Sequence, residues 1–184
     1  MLNTFGKYQD FELFSALKLR KRTAERAFAE LYSRYSQKVY AYCYRISGNT
    51  EDAKDIFQET FLKFYDYAHK NSEIENVGGL LIKIARNYWL NLQRNHRNCI
   101  SFDDLNFSEN GFDYEQKELV GLIASALDLL DFDQREAFIL RQYHGMSYKE
   151  ISDITGVTIT NLKNRVWRAK EKIKNILQPY MQDS

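Results

Sequence analysis

A chain of 184 residues with 44% hydrophobic and 15% aromatic side chains has ample apolar material for one core or two small ones, which excludes a disordered tail. No apolar run approaches the ~20 residues of a membrane helix, and no signal-type apolar stretch opens the chain, so a cytoplasmic protein without membrane insertion is expected. The formal net charge of +1 argues nothing for nucleic acid, but it hides an uneven distribution. Lys83, Arg86, Arg94 and Arg97 occupy residues 83–97 without an acid. Asp103, Asp104, Glu109, Asp113, Glu115 and Glu118 face only Lys117 in residues 100–118. Lys163, Arg165, Arg168, Lys170, Lys172 and Lys174 face only Glu171 in residues 160–174. Cys43 and Cys99 lack zinc-type spacing, and His96 adds no second ligand pair, so reduced thiols, no metal and no cofactor are expected.

One proline, at position 179, and few glycines leave long runs of period 3.6, which predict an all-α chain. Phe28, Leu31, Tyr32, Tyr35, Val39, Tyr42 and Ile46 recur at helical spacing, and Gly48-Asn49 ends that helix. A second helix runs from about Glu51 to Ala68. Asp52, Asp55 and Glu59 fall within about 60° of its arc, with Phe57, Phe61, Phe64 and Ala68 on the far side. The spacing alone describes a solvated acidic face. As a metal site it lacks a histidine and has Lys63 on the same side. A third helix, from about Gly79 to Arg97, has Leu81, Ile84, Ala85, Tyr88 and Leu92 on one face and Lys83, Arg86, Arg94 and Arg97 opposite. Trp89 flanks the apolar stripe, suited either to a half-buried site or to stacking on a base.

Residues 98–114 break the periodicity and read as an acidic linker. Leu119, Ile123, Ala126, Leu127 and Leu130 resume it, and a helix around Gln134–Tyr143 ends near Gly145. The organisation is therefore two small helical domains, 1–97 (a three- to four-helix bundle) and 115–184, joined by that linker.

Within the second domain, Ser147-Tyr148-Lys149-Glu150 fits a capping box. Ile151 and Ile154 point inward from the short helix that follows, and Gly156 stands where a positive φ is needed. Thr158 or Thr160 caps the next helix, whose Leu162, Val166, Ala169, Ile173 and Leu177 share one face. A short helix, a glycine turn and a longer basic helix make a helix-turn-helix. Thr160, Asn161, Lys163, Asn164 and Arg165 suit base edges, and Arg168, Lys170, Lys172 and Lys174 suit phosphates. A stand-alone helix-turn-helix regulator is the rival reading. A carboxylate enzyme has no glycine-rich loop, triad or metal cluster behind it.

Two sets of motifs then carry a resemblance. In residues 127–177, Arg135-Glu136-Ala137-Phe138-Ile139-Leu140-Arg141, Gly145-Met146-Ser147-Tyr148-Lys149-Glu150-Ile151 and Lys163-Asn164-Arg165-Val166-Trp167-Arg168-Ala169 resemble region 4 of extracytoplasmic-function (ECF) sigma factors of the sigma-70 family. Upstream, Asp52-x-x-Asp55-x-x-Gln58-Glu59-x-Phe61 and Leu80-Leu81-Ile82-Lys83-Ile84-Ala85-Arg86-Asn87 resemble region 2 of the same group. The sequence departs from the family in having Lys54 for an acid, Leu80 for Trp, Asn91 for Asp, Leu130-Asp131 for Leu-Pro and Thr160-Asn161-Leu162 for Gly-Thr-Val.

The resemblance implies a non-catalytic sigma factor, a monomer when free, that binds core RNA polymerase (β′ clamp, β flap) and directs promoter-specific initiation. Asp52, Asp55, Gln58 and Glu59 would contact the clamp. Lys83, Arg86, Asn87, Trp89, Asn91, Arg94 and Arg97 would hold the melted −10 strand, with the loop 70–78 beside them. Thr158, Thr160, Asn161, Lys163, Asn164, Arg165 and Arg168 would read the −35 duplex. It also implies an anti-sigma factor as a partner.

Overall fold

The computed structural model describes residues 4–71, 73–95, 121–123 and 125–181, and no described residue lies in a strand. The chain divides into two compact units, Met1–Ser101 and Phe102–Ser184. Arg97 and the acidic linker 98–114 lie outside the described residues.

The first unit contains α1 (Asp10–Ala16), α2 (Lys21–Ser47), α3 (Thr50–Lys70) and α4 (Val77–Asn95), after a single 3-10 turn at Thr4–Lys7. Its core is drawn from all four helices: Leu13 and Phe14 of α1, Leu31, Val39 and Tyr42 of α2, Ile56 and Phe64 of α3, Leu81 and Ala85 of α4. Gly48 ends α2 at φ 76, a left-handed conformation that an L side chain adopts only with strain. Asn49, expected only as part of that ending, also starts α3. Its Oδ1 accepts the Asp52 amide at 2.8 Å while its Nδ2 donates to Asp52 Oδ2 at 2.7 Å. Helix α4 begins two residues before the expected Gly79, because Asn76 Oδ1 accepts the Gly79 N–H at 2.7 Å.

Helix α1 was not anticipated. Its Asp10 takes Arg34 Nη1 of α2 at 2.8 Å, Arg34 Nε meets Glu30 at 2.9 Å, and the Tyr35 hydroxyl donates to the other Asp10 oxygen. Burial opposes the charge on Arg34, but Glu30 and Asp10 outweigh it and raise its pKa. Burial, helped by Asp10, likewise pushes the Tyr35 phenol up.

In the second unit, helical residues 121–123 and 125–128 form α5. They are followed by α6 (Phe132–Phe138), which runs into a π-helical segment at Ile139–Tyr143, then α7 (Tyr148–Thr155) and α8 (Ile159–Met181). The expected single helix at 134–143 is thus two kinds of helix. Ala126, Leu127 and Leu130 pack on Ala169 and Ile173, which ties the segment before α6 to the middle of α8. Asp131, the position where the resemblance implies proline, adopts φ −58, a value that a proline ring would also impose.

Candidate functional site

The acidic face stands on α3, anchored by Ala53, Ile56, Thr60, Phe61, Phe64 and Ala68 in the core. Asp55 and Gln58 are exposed, and Asp52 and Glu59 are half-buried. The four residues are not equivalent. Asp52 is tied to the helix cap, and as an acid in the first turn it also meets the positive end of the helix dipole. Glu59 pairs with Lys63 Nζ at 3.1 Å, and the same ammonium lies 4.4 Å from the centre of the Tyr88 ring on α4. Asp55 is the carboxylate with no such structural duty. Leu62, which sequence reasoning passed over, continues this exposed ridge with 64% of its surface open. Only its register outside the buried arc of α3 could have shown that.

On α4 the buried residues are Val77, Leu81, Ile82, Ala85 and Trp89, a stripe rotated by about 40° from the expected Leu81–Leu92 face. Two expectations change as a result. Trp89 is only 6% exposed, so it belongs to the core and offers no face for stacking. Ile84, Tyr88 and Leu92, expected on the apolar face, are half-buried at its margin. Lys83, Asn87, Asn91 and Arg94 are exposed together within about 80° of arc, with Arg86 half-buried at the flank. Gly78 lets α4 approach α2 closely, because a Cβ there would lie 2.9 Å from Tyr35 Cε1.

The helix-turn-helix is built as its capping residues dictate. Glu150 N–H donates to Ser147 Oγ at 3.2 Å and Ser147 N–H to Glu150 Oε2 at 2.8 Å, closing the capping box of α7. Gly156 ends α7 at φ 74. Thr158 then caps α8, accepting the Asn161 N–H at 3.4 Å, and Thr160 lies inside the helix. Arg141, on the π-helical segment, donates to Met146 O at 2.7 Å and stands 5.0 Å from the Tyr148 ring centre, which braces the turn before α7.

Leu162, Val166, Ala169 and Ile173 bury the inner face of α8. Its outer face exposes Thr160, Asn161, Lys163, Asn164 and Arg168. Leu162 faces the core, so only Thr160 and Asn161 of the departing triplet are displayed. Arg165 is half-buried and paired with Asp133 at 2.7 Å, and Lys172 is paired with Asp131 at 3.1 Å. Those two cations are partly committed to fixing α8 against the start of α6. Trp167, not among the expected contacts, is 62% exposed between Lys163 and Arg168 on the outer face. Its outward register follows from its position about 140° around α8 from the buried Leu162.

Among the described residues no cluster of His, Cys, Asp or Glu is placed to hold a metal ion, and no helix is long and apolar enough to cross a membrane.

Comparison with known proteins bears on both units. The family Sigma-70 region 2 matches residues 31–99, and Sigma-70, region 4, matches residues 121–173. The chain is 32% identical over 158 residues to the ferric citrate uptake sigma factor FecI of Escherichia coli, covering 81% of this chain and 90% of that one. It is 28% identical over 167 residues to the ECF RNA polymerase sigma factor SigE of Mycolicibacterium smegmatis, covering 84% of this chain and 63% of that one. The fold is similar, with a TM-score of 0.70 and 24% identity, to the sigma factor RpoE of Bartonella quintana in complex with the anti-sigma factor NepR, over 82% of this chain and 96% of that chain.

Proposed function

We propose how this chain, which belongs to the extracytoplasmic-function group of the sigma-70 family, divides its work between its two units. As a member of that group it binds RNA polymerase and directs promoter-specific transcription initiation. The exposed ridge of α3, with Asp55, Gln58 and Glu59 as its polar groups, grips a basic surface of the β′ clamp. The outer face of α4, with Lys83, Asn87, Asn91 and Arg94, holds the unpaired −10 strand, and Arg86 supports it from the flank. Thr160, Asn161, Lys163 and Asn164 of α8 meet base edges of the −35 duplex, with Arg165 at their margin and Arg168 on a phosphate. Promoter melting draws on this binding free energy, and the nucleotide chemistry belongs to the polymerase. An anti-sigma factor that covers one or both units is the regulatory partner proposed for the free protein.

The observation that carries this reading is the division of α3. Its apolar side is consumed by the core, yet carboxylates stand on its open side in the same chain as a capped helix-turn-helix with a cationic outer face. A DNA-binding regulator that works without polymerase has no use for that ridge. Co-purification with core RNA polymerase tests it. Wild type is expected to be retained by core, and a protein that binds DNA but is not retained would defeat the reading.

A further inference from the structure

The corner between α1 and α2 carries charges in an arrangement that folding does not favour. Lys18, Arg20, Lys21, Arg22 and Arg26 are all exposed, and Glu25 is the one acid between them. Among the described residues, none of the five is held by an ion pair or a side-chain hydrogen bond. Helix α2 has no acid in its first turn, and Arg20 stands at its N-cap, where it makes no side-chain capping bond. Arg20, Lys21 and Arg22 therefore crowd the end of α2 where unpaired N–H groups already concentrate positive potential. Arg22 and Arg26, four residues apart, are like charges facing each other along the helix surface. Both features oppose folding, and a polyanion relieves both.

We propose that this corner is a further nucleic-acid contact, which clamps the phosphate backbone of promoter DNA separately from the faces on α4 and α8. Three of the five cations are arginines, whose planar forks match phosphate oxygens in pairs. Five cations gathered around one acid suit the uniform charge of the phosphate backbone, so the contact is expected to be independent of sequence. It adds affinity and position to a complex whose specificity is set elsewhere. The inference rests on the sigma-factor reading only in naming DNA as the polyanion.

The test uses the full chain and a fluorescein-labelled random-sequence duplex, followed by anisotropy at salt concentrations from about 50 to 200 mM. Arg22→Gln/Arg26→Gln is compared with wild type and with Lys7→Gln/Lys38→Gln, which removes the same charge at exposed sites given no role in binding. Each lost phosphate contact lowers the salt slope by about 0.9, so a decrease of about 2 is expected for the arginine pair and none for the control. The arginine variant should melt at or above the wild-type temperature, because a repulsion has been removed. A slope equal to wild type, or no wild-type binding to the duplex, overturns the proposal. So does a lower melting temperature, which would show that the cations are satisfied within the chain, for example by its acidic segment. Loss of core-polymerase retention with DNA binding intact assigns the corner to a protein partner and also overturns it. Failure of wild type to bind core would sink the sigma-factor reading while leaving the slope comparison valid.

Discussion

Asp52 and Asp55 lie one helical turn apart on α3, share a charge and are expected to fail in different ways. Replacing Asp52 with alanine removes the acceptor of the 2.7 Å bond from Asn49 Nδ2 and an anion from the first turn of α3. Losses of that kind cost about 1 kcal/mol, which lowers the melting temperature of a domain this size by about 4–8 °C. Asp55 is exposed and has no side-chain partner among the described residues. Asp55→Lys should therefore shift stability by no more than about 0.5 kcal/mol. If Asp55 meets a cation of the clamp as proposed, it turns an attraction into a repulsion. A close interfacial charge pair worth about 2 kcal/mol corresponds to roughly a 30-fold weaker Kd. Thermal melts followed by near-UV circular dichroism, with titration of labelled protein into core polymerase, separate the effects. Undiminished core affinity in Asp55→Lys would refute the assignment of the ridge. A melting loss in Asp55→Lys matching that of Asp52→Ala would refute the division of roles.

Gly78→Ala pushes a methyl group to 2.9 Å from Tyr35, whose hydroxyl is held by Asp10. Overpacking should outweigh the gain in helix propensity, for a net loss of about 1 kcal/mol in unfolding experiments, and a stabilised variant would show that α2 and α4 have slack. Trp167 stands exposed between Lys163 and Arg168 on the face proposed to meet DNA, so Trp167→Ala should weaken promoter-duplex binding by about tenfold while moving the melting temperature less than about 3 °C, and unchanged binding would show that it makes no contact there. Cys43 is fully buried, and burial pushes its thiol up to about 12 from 9.0. In a Cys99→Ser background it should resist Ellman's reagent until the chain unfolds. Because the folded pKa is raised, the stability that burial of the thiol supports is complete below pH 9.0 and is lost as the pH climbs toward about 12. Immediate labelling of the native protein, or no such decline, would contradict the buried-thiol picture.

Long helices and their caps were legible because each carries its own signal. The spacing from Phe28 to Ile46 marked α2, and Ser147, Glu150 and Gly156 marked both ends of α7. The short α1 offers only seven residues, too few for a periodic pattern to stand out, and it is secured by Asp10 meeting Arg34 and Tyr35 far along the chain. The rotation of the α4 stripe has a similar origin. Ile82 and Trp89 are buried by neighbouring helices, and a single-helix projection cannot tell which edge of a broad apolar face the neighbours cover. At the site, periodicity located the carboxylates of α3 and the cations of α8. It could not show that Asp52 serves the cap or that Arg165 is tied to Asp133, because those facts depend on contacts fixed only by the fold, whereas the outward register of Leu62 and Trp167 was implicit in the same periodicity.

Transcription in vitro tests the central claim most directly. Purified protein is added to core RNA polymerase on a library of bacterial promoter fragments, and the transcripts are sequenced from their 5′ ends. The expected result is a set of start sites that share one pair of upstream elements, vanish when the protein is omitted, and need roughly 30-fold more protein when Asp55→Lys replaces it. Transcripts no different from those of core alone, from a protein that still binds duplex DNA, would contradict the assignment.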